Sequence, residues 1–560
     1  MSRNRGPRVG PWDHLLGLLI CATYIGVLLA GSPDLGMSRD ESFYVAAGQD
    51  YAGWFQLLAE DSSAAMEQEA IDSAWDYNHE HPGLIKSLFA ISWLVQQKWE
   101  VFPDHSTAFR FPGMASAGLL LWLIYIFGAR AFGRQAGLFA ALAYALMPRP
   151  FYHAHLDCFD VPITLMVTFA TYAYWRALRS RTWAIGFGVA FGLALATKHN
   201  AWVLPGIFLI HFVWMALSNR SRPVEARLST RPWWLLSLSL IGPLIFIGTW
   251  PWLWNETLPR LGWYIRFHTG HEYYNIAYLG ETWFRPPFPV HYPFVMTLFT
   301  VSIVTLGLCF YGLGHRMKAV IPQRIANRFL KKGASPDPSH TDVLLIGSLL
   351  APMVVIALPS SPIFGATKHW MPSYPFLALY AGLGFWHLSE RLKDWLRSRV
   401  SFTRLQESGV VALLAVVLIA PSAADTVRSH PFGLSHYTFA AGGVPGAADL
   451  GMNRQFWGFT TGSLVDFFNE EMPDGGTVWL CDTTDIAWRM LQRDELIPAN
   501  IRATGSMARA DFILVHHEEH FAEVDAQAWM AFGSPAPAHV LTYDGVPIVS
   551  VYENPRRREQ

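Results

Sequence analysis

Just beyond the first long apolar run, Leu15 to Ala30, two adjacent carboxylates stand in the stretch Arg39-Asp40-Glu41-Ser42-Phe43-Tyr44. Charged groups at a hydrocarbon boundary are costly to desolvate and are seldom kept for packing alone. A plainer reading stays open: acids favour the first turn of a helix, and Asp40 and Glu41 fit that place too. Further polar clusters follow. Asn78-His79-Glu80-His81-Pro82-Gly83 leads to Lys86, and Tyr152-His153-Ala154-His155-Leu156-Asp157-Cys158-Phe159-Asp160 leads to Pro162. Thr197-Lys198-His199-Asn200 is pinched between apolar runs, residues 252–290 carry Arg266, His268, His271, Glu272 and Arg285, and Lys368-His369 precedes Trp370.

Carboxylates and cations gathered on one face suit attack on a phosphate-linked group held at a membrane surface. A carboxylate takes the acceptor's proton and needs a pKa near its working pH. Cations such as Lys86, Lys198 or Arg285 hold the departing phosphate and offset its growing charge. Each residue also has a bland reading. Lys86 and Lys98 fit the snorkelling cations of an amphipathic helix. His79, His81, His153 and His155 alternate as transition-metal ligands can, and solvated histidines alternate as readily. Asp157 and Asp160, ahead of Pro162, also fit an N-cap and a first turn.

The elements that must position these residues are membrane helices. Of 560 residues, 52% are hydrophobic and only 15% charged, against about 25% charged in soluble domains. A net charge of −1 gives no reason to expect nucleic acid. Cys21, Cys158, Cys309 and Cys481 show no zinc spacing. Cys21 and Cys309 read as core residues, and a Cys158–Cys481 bridge is conceivable in an oxidising compartment. Arg3, Arg5 and Arg8 precede the first apolar run and no small-residue cleavage site follows it, which predicts an uncleaved first span.

Spans are expected near 13–31, 107–128, 136–150, 161–177, 183–198, 201–218, 233–251, 291–313, 342–358, 371–388 and 409–421. With the N-terminus cytoplasmic, the Arg-rich loops all fall inside: Arg130/Arg134, Arg176 to Arg181, Arg220 to Arg231, the run from Arg316 to Lys332, and Arg391 to Arg404. The outer loops hold few cations. This parity requires that Gly83 to Trp99 not cross. Its Leu84, Leu88, Ile91, Leu94 and Val95 share a face against Lys86, Ser87, Gln97 and Lys98, which predicts an interfacial helix. The expected organisation is an all-α polytopic bundle over 1–421, with a first outer loop near 32–106, and a small α/β soluble domain over 422–560. In the latter, Thr477 to Cys481, Asp511 to Val515 and Ile548 to Tyr552 read as strands and Asp485 to Asp494 as a helix.

These residues, in this order, resemble the GT-C class of membrane glycosyltransferases. The branch is that of bacterial proteins related to dolichyl-phosphate-mannose protein mannosyltransferases and lipid A aminoarabinose transferases. The likeness rests on Asp40-Glu41 followed by Tyr44, on His81-Pro82-Gly83-Leu84, on Asp160-Val161-Pro162-Ile163, on Gly192 to Lys198, and on Lys368 to Leu379. It covers roughly residues 10–420. Gly83 replaces a usual second proline, and His369-Trp370 replaces a usual Arg-Tyr.

The resemblance implies an inverting transfer of a sugar from a polyprenyl-phosphate donor to a protein, lipid or glycan acceptor, on the outer face of the cytoplasmic membrane. It makes Asp40 the general base or acceptor-orienting carboxylate, with Glu41 supporting it. Asp157 and Asp160 match an acidic second loop that binds acceptor or metal. Lys86 and Lys198, with Arg285, Lys368 and His369, become candidate phosphate contacts, and Tyr44, His79, His81 and His155 candidate substrate contacts. No cofactor is firmly implied, and a divalent metal stays open. The C-terminal domain would lie outside the cell membrane with no motif of its own. A competing class is a multi-span transporter or flippase of a lipid-linked or anionic substrate, which would place its charges near the bilayer midplane. A non-catalytic membrane scaffold is the third.

Overall fold

The computed structural model describes residues 9–220, 227–228, 231–320, 337, 339–363, 365–401 and 403–559. Arg3, Arg5, Arg8, Arg222 and most of the run from Arg316 to Lys332 lie outside the described residues. A helix lies under every apolar run named above. In chain order the helices that frame the molecule are α1 (Pro11–Gly31), α2 (Arg39–Glu60), α3 (Gly83–Trp99), α4 (His105–Ala131), α5 (Arg134–Ala145) and α6 (Asp160–Ala177). They continue with α7 (Arg181–Thr197), α8 (Leu204–Asn219), α9 (Trp233–Gly248), α10 (Thr257–Thr269), α11 (Tyr292–Thr300), α12 (Ile303–Val320), α13 (Thr341–Ala357), α14 (Tyr374–Arg397) and α15 (Arg404–Ser429).

Among the described residues four segments are each long and apolar enough to cross a membrane: Pro11–Asp34, His105–Ala131, His199–Asn219 and Arg404–Ser429. α7, α9 and α13 are apolar but shorter. One expected span is not a single helix. The run 291–313 breaks at Val301, whose backbone is extended, and α11 and α12 meet at 118°. Small residues set the closest helix contacts. A methyl group on Gly312 of α12 would sit 2.2 Å from the Tyr380 carbonyl of α14, so these helices touch backbone to backbone.

α3 lies beside the bundle as an amphipathic helix, but Lys86 is not on an exposed polar face as expected. Leu88 and Ile91 point outward, 40% and 45% exposed, while Ile85, Phe89, Trp93 and Lys86 are buried against the protein. An outward apolar row suits a helix whose surroundings are lipid rather than water. Lys86 is therefore not a snorkelling cation.

Two ends of the bundle differ in chemistry. At one end Asp13 of α1 takes a hydrogen bond of 2.8 Å from Arg134 of α5, and Arg316 of α12 pairs with Asp342 of α13 at 2.9 Å. The other end holds the start of α2, the start of α6, the end of α7 and the turn before α14.

The last long helix runs to Ser429 with Pro421 inside it, past the expected limit of 421. Beyond it five strands form one sheet: β3 (Gly476–Leu480), β4 (Ile501–Ala503), β5 (Phe512–His516), β6 (His539–Tyr543) and β7 (Val546–Glu553), ordered β4-β3-β5-β7-β6. β3, β4 and β5 run parallel, and β7 pairs antiparallel with both β5 and β6. β5 is buried on both faces. Phe512 and Leu514 join Trp488 of α16 (Asp485–Arg493), and Ile513 and Val515 join Ala528 and Phe532 of α17 (Ala522–Phe532). An unbroken apolar strand is what a doubly covered position requires. A two-stranded hairpin, β1 (Ile276–Tyr278) with β2 (Glu281–Trp283), lies between α10 and α11. All four cysteines are free and buried, so Cys158 and Cys481 form no bridge.

The sheet region docks on the end of the bundle that carries the polar clusters. The Arg39 N–H donates to the Trp457 carbonyl at 2.8 Å, and the His105 N–H donates to Asp494 at 2.9 Å. Gly36 and Gly462 pass so closely that a methyl on either would meet the other's backbone below 3 Å.

Candidate functional site

The start of α2 decides where its two carboxylates go. Ser38 stands at the N-cap and its N–H donates 2.8 Å to Glu41, the carboxylate half of a capping box. Arg110 of α4 donates to the same carboxylate at 2.8 Å and to the carbonyls of Leu35 and Gly36 at 3.0 and 2.8 Å. Glu41 is thus fully buried and ties the turn between α1 and α2 to α4. Adjacent helical residues point about 100° apart, so Asp40 faces the other way. Lys368 donates to it at 2.8 Å, and the Arg39 guanidinium lies 3.9 Å away. Burial alone would raise the Asp40 carboxyl, but Lys368 and Arg39 outweigh it and hold the group below the usual carboxylate range.

Lys368 comes from the 3-10 turn Ala366–His369, and its ammonium stands 4.2 Å over the Trp457 ring of the C-terminal region. Gly365 makes this possible. Its φ of +68° is left-handed, and a side-chain carbon there would lie 2.0 Å from the Trp457 ring. A second ion pair stands nearby. Lys198, at the end of α7, donates 2.8 Å to Asp160 in the first turn of α6, and His153 lies 3.3 Å from the other Asp160 oxygen.

A cavity of about 680 Å³ opens among these groups, with Asp40, Tyr44, His81, Lys198, Lys368 and His369 in its wall. Five of these are candidate contacts read from the sequence, joined by the leading carboxylate. Asp160 supports the site from behind Lys198. His199 and His268, stacked 4.0 Å apart, form another part of the wall. Burial pushes His81 well below the ordinary histidine range and His268 down to about 4, so these imidazoles are neutral at neutral pH. A second cavity of about 410 Å³ shares His199, His268 and His369 and runs between α8 and α13, with Val203, Leu204, Ile207, Val355 and Ile356 in its lining.

Other expected site residues do not reach the cavity. Glu41 is held by Arg110. Asp157 is fully buried behind it; its N–H donates 3.2 Å to Glu41, and burial with the Glu41 charge pushes its carboxyl well up, toward the neutral form. Lys86 donates 2.6 Å to the Asn78 carbonyl beside the Tyr51 ring, and burial pushes its amine down to about 7. Arg285 is exposed just after β2, in a separate shallow depression with Glu272 and Tyr273. His79 stacks on Trp252 at 4.5 Å and packs against Trp263. His155 lies against His430, and burial pushes it down to about 3. The four alternating histidines are therefore separated, and no group of three or more His, Cys, Asp or Glu among the described residues is arranged to hold a metal ion.

The C-terminal region supplies a wall that no motif announced. Asn453, Phe456, Trp457, Asp482, Glu518 and His520 all face the larger cavity. Arg39 hydrogen-bonds Asp482, so one guanidinium links Asp40 to the sheet region. Burial, against the pull of Arg39, pushes Asp482 up to about 6.

Residues 81–252 match the family model of the dolichyl-phosphate-mannose-protein mannosyltransferases. The oligosaccharyltransferase of Archaeoglobus fulgidus, solved with a tethered acceptor peptide, superposes with a TM-score of 0.50 at 11% identity, over 94% of this chain and 71% of that one. The chain has the GT-C glycosyltransferase fold. ArnT from Cupriavidus metallidurans, solved bound to undecaprenyl phosphate, aligns over 97% of this chain and 98% of its own at 13% identity, with a TM-score of 0.47. No curated protein matches the chain in sequence. Within the GT-C fold, the matched segment holds His81, Asp160 and Lys198, whereas Asp40 and Lys368 lie on either side of it.

Proposed function

We propose that this protein is an integral membrane glycosyltransferase that moves a sugar from a polyprenyl-phosphate carrier to an acceptor on the outer face of the cytoplasmic membrane. The observation that carries this reading is the Asp40–Lys368 pair, 2.8 Å apart, in the wall of a cavity that adjoins an apolar slot between helices. The slot suits a prenyl tail. Lys368, Lys198 and the neutral histidines at the junction suit its phosphate. The relatives solved with undecaprenyl phosphate and with an acceptor peptide support the same assignment of partners.

In the proposed reaction the acceptor oxygen attacks the anomeric carbon, the bond from that carbon to the phosphate oxygen breaks, and its electron pair leaves with the phosphate. The acceptor proton passes to Asp40. With no donor present, Asp40 is neutralised by Lys368 and is a weak base. A bound phosphate competes for Lys368, and as that ammonium turns toward it Asp40 regains basicity. Lys198 and Lys368 then stabilise the charge that grows on the leaving group. Hexosyl and pentosyl donors both fit this scheme. A transporter would need its charges at the bilayer midplane, whereas these ion pairs cluster at one end of the helices.

Native mass spectrometry of the full-length protein with undecaprenyl phosphate tests the donor site. The expected result is one bound lipid, with the bound fraction reduced at least tenfold in a Lys198→Met, Lys368→Met double variant. Equal binding by wild type and variant would overturn the assignment.

A further inference from the structure

A third cavity, of about 240 Å³, lies between the β1–β2 hairpin and the sheet region and touches the reaction cavity. Ala277, Asn453 and Glu518 line both. Its charge is one-sided: Glu281, Glu519 and Asp525 face Arg454, with His517 kept uncharged by burial. Burial and the neighbouring Asp482 push the Glu518 carboxyl well above the usual carboxylate range, toward its neutral form. Asp525 is oriented by a hydrogen bond of 2.9 Å from the Tyr552 hydroxyl.

Glu518 stands at the junction of the two spaces. Its side chain is only 8% exposed, and His520 lies 3.7 Å from it. Its Oε2 is 3.5 Å from the Asn453 amide, and its Oε1 has no hydrogen-bond partner among the described residues. A buried carboxyl with so few donors is kept neutral, and a cationic ligand that brings a donor to Oε1 stabilises its ionised form instead. The opposite end of the connected space carries Lys198 and Lys368. Charge along the path therefore runs from positive at the proposed phosphate end to negative beyond Glu518.

We propose that this acidic chamber is an acceptor subsite, which takes an ammonium group of the acceptor next to its attacking hydroxyl. The inference rests on the glycosyltransferase reading above and narrows its acceptor to one bearing a cation. The ammonium group hydrogen-bonds Glu518 Oε1 and draws that carboxyl into its ionised form as it binds, while Glu281, Glu519 and Asp525 supply a long-range attraction that salt screens. A lysine-bearing peptide and an amino sugar offer the same group.

Titration of the full-length protein in maltoside micelles with trilysine amide, with a glucosamine disaccharide and with triglutamate distinguishes these cases. Trilysine or the amino disaccharide should bind, whichever does so naming the source, and triglutamate should not. Binding should weaken at least tenfold in Glu518→Gln, weaken in Glu281→Gln on the exposed hairpin, and fall with added salt. Binding of neither cation, equal binding of triglutamate, or binding untouched by both substitutions would overturn the subsite. Asp40→Asn separates the two readings, because it should lose transfer and keep cation binding. A protein that transfers sugar but binds no cation sinks the subsite alone. One that binds cations but never transfers sugar sinks the transferase reading, and the chamber is then a cation site but no acceptor subsite.

Discussion

Asp40 and Glu41 are neighbours in sequence with opposite surroundings, and their substitutions should separate cleanly. Glu41 and Arg110 are both buried, with side chains 0% and 1% exposed. Removing one member of such a pair strands the other charge, at a cost of about 3–5 kcal/mol. Arg110→Met should therefore lower thermal stability and folded yield, read by the melting midpoint of the detergent-solubilised protein. Lys368→Met should act on chemistry instead. Asp40 lies low because Lys368 and Arg39 outweigh its burial. Without Lys368, burial counts for more, the carboxyl pKa rises, and activity that needs the ionised form fails at a higher pH as acid is added. The acid limb of the rate profile should move up by about 1–3 pH units. The split between the two acids was partly legible: Ser38 and Glu41 have capping-box spacing, and helical geometry turns the next residue away. Their being read as a joint pair came from adjacency along the chain, which is not adjacency of direction. Lys86 and Asp157 carry the same lesson, since a polar residue near a site can face its own loop.

At the level of elements, the turn before α14 matters more than its length suggests. Gly365 allows Trp457 to press over Lys368. Gly365→Ala combines a left-handed backbone with a contact of 2.0 Å, and such strain costs about 1–3 kcal/mol. Turnover should fall together with a drop in tryptophan fluorescence change on donor addition, because the ring and the lysine are displaced together. Helix positions were legible from apolar runs and Arg-rich loops, which report the same bilayer. The 118° bend between α11 and α12 was not, because hydropathy is blind to the direction of a helix. The burial of Lys86 on α3 was not legible for a related reason. Periodicity finds a polar stripe, but whether water or protein covers each of its residues depends on the neighbours.

For the whole molecule, the larger cavity is closed by a region in which the sequence offers no motif of its own. Arg39 and Asp482 are 443 residues apart, and a single sequence holds no periodicity or spacing that could join them. The sheet strands themselves were legible as short β-branched and aromatic runs; their role in the wall depends on docking. Asp482→Asn should loosen that docking. Limited proteolysis is expected to release the segment beyond α15 faster than in wild type while the membrane part stays intact, and equal rates would count against the link.

The central claim is that Asp40 is needed to transfer a sugar from a prenyl-phosphate carrier. The most direct measurement is mass spectrometry of lipid-linked sugars and surface glycans in cells making Asp40→Asn in place of the wild-type chain. The account predicts a normally folded, membrane-inserted variant whose transfer is slowed about 10²–10⁴-fold, so that a polyprenyl-phosphate sugar accumulates and one surface modification is lost. An unchanged carrier pool with the surface glycans intact would contradict it.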